Sequence, residues 1–195
     1  MNTFNREGWL TELASRVRVH FSGLTLSPFR LTCGWPSKCG LSTNRRRVGE
    51  CHGAKYSKDG THEIFISPVL DDPLEVAGTV MHELCHVAAG IETAHGKDFI
   101  KVCRHVGLTK GKPACVMPGP SLEDTLKGYL KDMPDYPHRA LVTPARVAVR
   151  PPQNLRLVCR NPACGCVIMM SGKWFLAAGL PVCGCGELFR TGKDG

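Results

Sequence analysis

Residues 72–99 read DPLEVAGTVMHELCHVAAGIETAHGKDF, and this stretch decides the fold. Asp72 suits a helix N-cap, Pro73 the first helical position, and Glu75 lies three residues after the cap, while Gly90 supplies a stop. A helix is therefore predicted over Pro73–Ala89. Val76, Val80, Leu84, Val87 and Ile91 recur along one side of it as a stripe for burial. The opposite side carries His82-Glu83-Leu84-Cys85-His86, with the two histidines one turn apart on one face. Two imidazoles so placed suit a single zinc ion. Glu83 lies about 100° round the helix from His82, where its carboxylate reaches a water on the metal rather than the metal itself. It is the candidate general base. Gly78 and Gly90, a turn before and after the pair, leave space above the metal, and Gly90 also serves as a cap.

A catalytic zinc takes a third protein ligand and keeps one position open. Glu92 follows His86 by six residues, where a metzincin pattern places a histidine, but that pattern also needs a glycine where this chain has Ala89. No glutamate occurs between Thr93 and Leu122, the range from which thermolysin-like enzymes draw their third ligand. His95, in His95-Gly96-Lys97-Asp98-Phe99, remains as the candidate.

Outward from this stretch, Trp9, Leu10, Leu13, Val17 and Phe21 predict a core helix over about Arg6 to Phe21. Turn-rich segments (GWPSKCG, SKDGTH) between short β-prone runs predict a small sheet, with a strand over Glu63–Ser67. Further helices are predicted over Lys97–Val106, closed by Gly107, and over Leu122–Lys131, capped by Ser121. From Met133 to Pro152 five prolines mark an extended linker.

The cysteines divide by position. Cys159-x4-Cys164-Gly165 and Cys183-x-Cys185-Gly186 form two knuckle-like pairs, close to a zinc ribbon, with VIMM, SGK and WFL between them as strand, turn and strand. A module of about 40 residues buries little core, so a metal would supply much of its folding energy. The assignment is Cys159, Cys164, Cys183 and Cys185 to a structural zinc, with Cys166 as a spare fifth thiol. Cys33, Cys39, Cys51 and His52 are either a further zinc site or, as their irregular spacing favours, separate thiols. Cys85 and Cys103, among apolar residues on helices, belong to the core.

Hydrophobic residues make up 43% of the 195, enough for a core, and no apolar run approaches the roughly 18–20 residues of a membrane span. The N-terminus has no apolar signal region, which points to the cytoplasm, where thiols serve metals rather than disulfides. Net charge is +8 and the pI near 9.0, permitting a polyanionic partner. Arg139, Arg146, Arg150, Arg156 and Arg160 lie in a stretch without an acidic residue, which is either a solvated linker or a phosphate-binding strip.

The strand EIFISP, the HELCH helix, the His95-Gly96 pair with Phe99 after it, and the terminal cysteine module together resemble the SprT-like metallopeptidases. That family includes the Spartan DNA–protein crosslink proteases and many short bacterial and phage members. The resemblance covers about Trp9 to Phe189. It implies that His82, His86 and His95 hold a catalytic zinc and that Glu83 activates water. It also favours DNA, single- or double-stranded, as partner of the cysteine module. There Arg146, Arg150, Arg156, Arg160 and Lys173 would meet phosphates and Trp174 would stack on bases, unless Trp174 and Phe175 form the module's own core.

The expected architecture is α+β. A small zincin-like metallopeptidase domain with an HExxH helix and small sheet (1–132) is followed by a Pro/Arg-rich linker (133–152) and a C-terminal zinc ribbon (153–191). The expected function is a monomeric, cytoplasmic, zinc-dependent endopeptidase acting on DNA-associated proteins, in the host cytoplasm or at the nucleoid if phage or bacterial. The alternative is a non-catalytic nucleic-acid-binding or transcription-associated protein; a metal-dependent hydrolase of other substrates is a third reading. Glu83 favours the enzyme, since a closed structural site has no use for a base.

Overall fold

The chain starts its first helix where the Asn5 side chain accepts a hydrogen bond from Gly8 N at 2.7 Å, satisfying one of the free amides of the first turn. In the computed structural model, residues 5–42, 46–142 and 154–192 are described, and the chain divides into two units, Met1–Pro144 and Ala145–Gly195.

In the first unit, helix α1 (Arg6–Val17) runs into a 3-10 turn at Arg18–Phe21. Trp9, Leu10, Leu13, Val17 and Phe21, the predicted apolar face, are buried. Burial of each such side chain contributes about 1.5–3 kcal/mol over exposure. Three short strands follow: β1 (Phe29–Cys33), β2 (Gly49–His52) and β3 (His62–Ile66), in the order β1-β3-β2. β1 runs parallel to β3 with Leu31 opposite Ile64, and β2 runs antiparallel to β3 with Gly49 opposite Ile66. β2 is thus an outer strand of this sheet.

Helix α2 spans Pro73–Ala89, with Asp72 accepting from Glu75 N at 2.8 Å and Gly90, at φ 87, ending it. Val76, Val80, Leu84 and Val87 are buried as the stripe requires. Helix α3 is Lys97–Val106, closed by Gly107 in the left-handed region at φ 91. Strands β4 (Leu108–Lys110) and β5 (Met117–Pro118) pair antiparallel and lead into helix α4 (Pro120–Lys131). Ser121 is not its cap: Gly119 holds that position and Pro120 the first helical one, because proline's fixed φ and missing N–H suit the start of a helix better than the following serine.

Residues 133–142, read from their prolines as linker, instead pack on the first unit. Trp9 Nε1 donates to Pro134 O at 2.7 Å, and the Tyr136 ring lies 4.6 Å from that of Trp9. Leu141 N donates to Pro68 O at 2.8 Å and Ala140 N to Asp71 Oδ2 at 3.1 Å. Prolines disfavour helix without preventing an extended segment from docking.

The second unit is a three-stranded antiparallel sheet, β7-β6-β8, of β6 (Leu155–Cys159), β7 (Val167–Met170) and β8 (Phe189–Thr191). Leu157, Cys159, Cys183 and Phe189 form its small core. The stretch expected as turn and strand is instead helix α5 (Gly172–Ala178). The Ser171 hydroxyl accepts from Trp174 N, and the Leu-Ala-Ala run that follows favours helix over strand. The third strand of the sheet comes from Phe189–Thr191. Among the described residues no helix is long and apolar enough to cross a membrane.

Candidate metal centre

Helix periodicity puts His82 and His86 on one side of α2, and a 3-10 turn at Ile91–Thr93 swings the chain back so that His95 joins them. One ring nitrogen from each lies within 4.8 Å of the other two. The ring centroids are 5.2 Å (His82–His86), 4.9 Å (His86–His95) and 5.5 Å (His82–His95) apart. Ala94, immediately before His95, sits at φ 46, a backbone conformation that costs energy in a non-glycine residue. Phe99 forms the floor: its buried ring stacks on His86 at 4.3 Å and lies 5.1 Å from both His82 and His95. His82 also hydrogen-bonds the Val116 backbone, the kind of contact that orients a ligating imidazole.

Burial, with neighbouring imidazoles adding to it, lowers His82 to about 4 and His86 to about 3, and burial also lowers His95. The three rings are therefore neutral in ordinary buffers, as metal ligands must be. Three convergent neutral nitrogens fit zinc with a position to spare.

Glu83 is 5% exposed and points between α2 and β2. Burial pushes its carboxyl up to about 8, with Arg47 acting against the rise and Glu50 adding to it. The three histidines and Glu83 open into a cleft of about 330 Å³ whose walls include Arg47, Val48, Gly49, Glu50 and Cys51 on one side and Cys115–Met117 on the other. Gly78 also lines it, and a Cβ there would come 3.2 Å from Pro118 Cδ, so the glycine admits β5 as well as leaving space.

Arg47 and Gly49 were not singled out by sequence reasoning. The run Arg45-Arg46-Arg47 was the available signal, but nothing in it shows which arginine faces a cleft. Arg47 pairs with Glu50. The Glu50 carboxylate also accepts from Ser37 N at 2.5 Å and Ser37 Oγ at 2.9 Å, and lies 3.2 Å from His52 Nε2. Burial works to raise Glu50, but these hydrogen bonds and charges prevail and hold it below the usual carboxylate value. The cluster ties the GWPSKCG loop to β2. His105, Tyr129, Tyr136 and His138, weighed from sequence for a role over the metal, have other partners: Ser22 O, His20, Trp9 and Pro68 O, respectively.

In the second unit Cys159, Cys164, Cys183 and Cys185 bring their sulfurs within 4.8 Å of one another. Cys159 Sγ is 3.5 Å from Cys185 Sγ, and Cys164 Sγ is 3.7 Å from Cys183 Sγ. Zinc–sulfur bonds of about 2.3 Å in a tetrahedron put sulfurs about 3.8 Å apart, so this thiol set fits zinc. Gly165 and Gly186, at φ 62 and 92, make the knuckle turns. A backbone hydrogen bond at Cys185 lowers the Cys183 thiol to about 7. Cys33, Cys39, Cys51 and His52 form no such set among the described residues, and His52 packs instead on Phe65. Cys85 and Cys103 are buried and hydrogen-bond each other.

Residues 29–118, from β1 through β5, match the SprT-like family model. That segment is a SprT-like domain. Domains of this type are usually zinc-metallopeptidase-like, and the matched segment contains the three histidines and Glu83. No curated protein and no solved structure matches the chain.

Of the residues expected to meet nucleic acid, Arg156, Arg160, Lys173 and Trp174 are exposed, Trp174 at 63%, which excludes it from the module's core. Arg146 and Arg150 lie outside the described residues.

Proposed function

We propose that this SprT-like protein is a zinc-dependent endopeptidase in which His82, His86 and His95 hold the metal and Glu83 is the general base. The observation that carries the reading is the position of Glu83, beside the three-histidine cluster and inside the cleft, where a purely structural metal site would have no use for it. Zinc, when bound, polarises a carbonyl and acidifies water.

Around that chemistry the chain's own residues have separate tasks. Glu83 takes a proton from water in the cleft and returns it to the leaving amine. Burial raises its carboxyl in the metal-free chain, and a zinc ion beside it would draw it back down toward the range in which it can both take and return a proton. Phe99 and the Val116 backbone hold the imidazoles in orientation. β2, paired only with β3 among the described residues, lines the cleft and offers main-chain groups to an extended peptide, which favours a peptide over a small-molecule substrate.

The substrate proposed is protein bound or crosslinked to DNA. The second unit, read as a zinc ribbon on its four cysteines, would contact nucleic acid and raise the effective concentration of the peptidase near its target. Its described residues carry Arg156, Arg160, Lys173 and Arg190 against a single acidic residue, Glu187, and the exposed Trp174 is available for stacking. A cytoplasmic, monomeric protein is the corresponding proposal for location and state.

The test is incubation of the zinc-loaded protein, beside Glu83→Gln, with DNA-binding proteins in the presence and absence of single- and double-stranded DNA. Fragments that disappear in the variant establish the peptidase, and their dependence on DNA establishes the role of the ribbon. Zinc at both sites with no cleavage under any condition would sink the enzymatic reading in favour of a nucleic-acid-binding protein.

A further inference from the structure

Five thiols crowd a site with room for four. Cys166 lies outside the convergent set, yet it belongs to it in space: its carbonyl accepts from Cys159 N at 2.9 Å, and its side chain packs on the cluster of Leu157, Cys159, Cys183 and Phe189. Cys183, in the cluster that Cys166 packs on, is the neighbouring sulfur that acts most strongly on the Cys166 thiol, and Cys183 itself lies 3.7 Å from Cys164 Sγ. Cys166 is partly exposed and Cys183 is buried. A sulfur held by zinc is shielded from oxidants, so when the four are engaged the fifth is the thiol of this cluster left open to attack.

We propose that Cys166 is an oxidation site that captures Cys183 as a disulfide and thereby removes one of the four ligands of the ribbon. The proposal rests on the reading of Cys159, Cys164, Cys183 and Cys185 as zinc ligands. The oxidant is a hydroperoxide. The Cys166 sulfur attacks a peroxide oxygen, the O–O bond breaks, an S–O bond forms, and with hydrogen peroxide one water leaves, so Cys166 becomes a sulfenic acid. The Cys183 sulfur, a thiolate when it serves as a zinc ligand, then attacks Cys166, the S–O bond breaks, the S–S bond forms, and the hydroxide that departs takes a proton from solvent to become a second water. One thiol and one thiolate have lost two electrons, one proton has come from Cys166 and one from solvent, and the peroxide has been reduced to two waters. With Cys183 withdrawn, three thiols remain to hold the module together. A unit whose protein core rests on Leu157, Cys159, Cys183 and Phe189 should then loosen as a whole.

The experiment uses the full chain loaded with zinc, as wild type, Cys166→Ser and Cys183→Ser. Zinc per chain is measured first. Hydrogen peroxide is then added, zinc release is followed with a chromogenic chelator, and disulfides are mapped by mass spectrometry after alkylation of free thiols. Cys166→Ser should hold as much zinc as wild type, and Cys183→Ser less. Under peroxide, the wild type should yield a Cys166–Cys183 linked peptide and release ribbon zinc about tenfold faster than Cys166→Ser. Equal release rates, a first disulfide between other partners such as Cys159 and Cys185, or loss of zinc from unoxidised Cys166→Ser would overturn the proposal while leaving a zinc site in place. Equal zinc in wild type and Cys183→Ser would overturn the four-ligand reading, and the proposal with it.

Discussion

Gly49 lies so close to Glu83 that a Cβ on the glycine would collide with the carboxylate Oε1, and would also come within 2.7 Å of Thr79 Cγ2. The backbone of β2 cannot easily retreat, because Gly49 is paired with Ile66 on β3. Gly49→Ala should therefore displace the Glu83 side chain rather than the strand. The expected result is at least a tenfold fall in peptidase activity, roughly the effect of misplacing a catalytic group by an ångström, with zinc content unchanged. Full activity in this variant would show that the observed carboxylate position is not the working one.

The raised Glu83 carboxyl has a signed consequence for stability. In the metal-free protein its value of about 8 lies above the ordinary 4.5, so between these limits the folded chain keeps a proton that the unfolded chain has lost. Stability therefore falls as pH rises through that window. His82 and His86 act in the opposite sense and lower down: their folded values of about 4 and 3 lie below 6.5, so their contribution is complete above 6.5 and is lost as pH falls. Of these three groups, Glu83 alone acts between pH 6.5 and 8. Urea unfolding of the metal-free protein should show a loss on the order of 1–2 kcal/mol across that interval, absent in Glu83→Gln. Parallel pH dependences for the two proteins would refute this.

Two metal sites built from separate residues should empty separately. Elemental analysis of the full chain is expected to find two zinc ions, falling to one in His82→Ala and to one in Cys183→Ser. Because burial keeps His82 and His86 neutral far below pH 6.5, acid should not displace the histidine-bound metal at the usual imidazole value. Retention of both ions in His82→Ala would remove this histidine from the ligand set.

The segment after α4 contributes to the stability of the first unit. Truncation of the chain after Asp132 would deprive Trp9 Nε1 of its acceptor at Pro134 and uncover the ring now covered by Tyr136. A chain ending at Asp132 should be less stable than one ending at Val142 by about 2–4 kcal/mol, measured by denaturant unfolding. Equal stability would mean that these contacts do not matter in solution.

What the sequence alone determined is what one helix or one turn can encode. Asp72, Pro73 and Gly90 mark the ends of α2, and the 3.6-residue repeat puts His82 and His86 on one face with Val76, Val80 and Leu84 on the other. The glycine-flanked cysteine pairs likewise announced a four-thiol cluster, because knuckle turns are local. Only the tertiary structure decided which distant segments meet these elements. The turn at Ile91–Thr93 carries His95, already a candidate in the sequence, to the pair, Gly49 of β2 and Arg47 just before it wall the cleft from more than thirty residues ahead of His82, and Pro134 and Tyr136 cover Trp9. The same distinction accounts for α5, where a local turn signal suggested a hairpin but Phe189–Thr191 took the open side of β6. Caps and periodicity act within a few residues, whereas sheet partners, cleft walls and covering segments follow from the burial of surfaces that chain folding alone brings together.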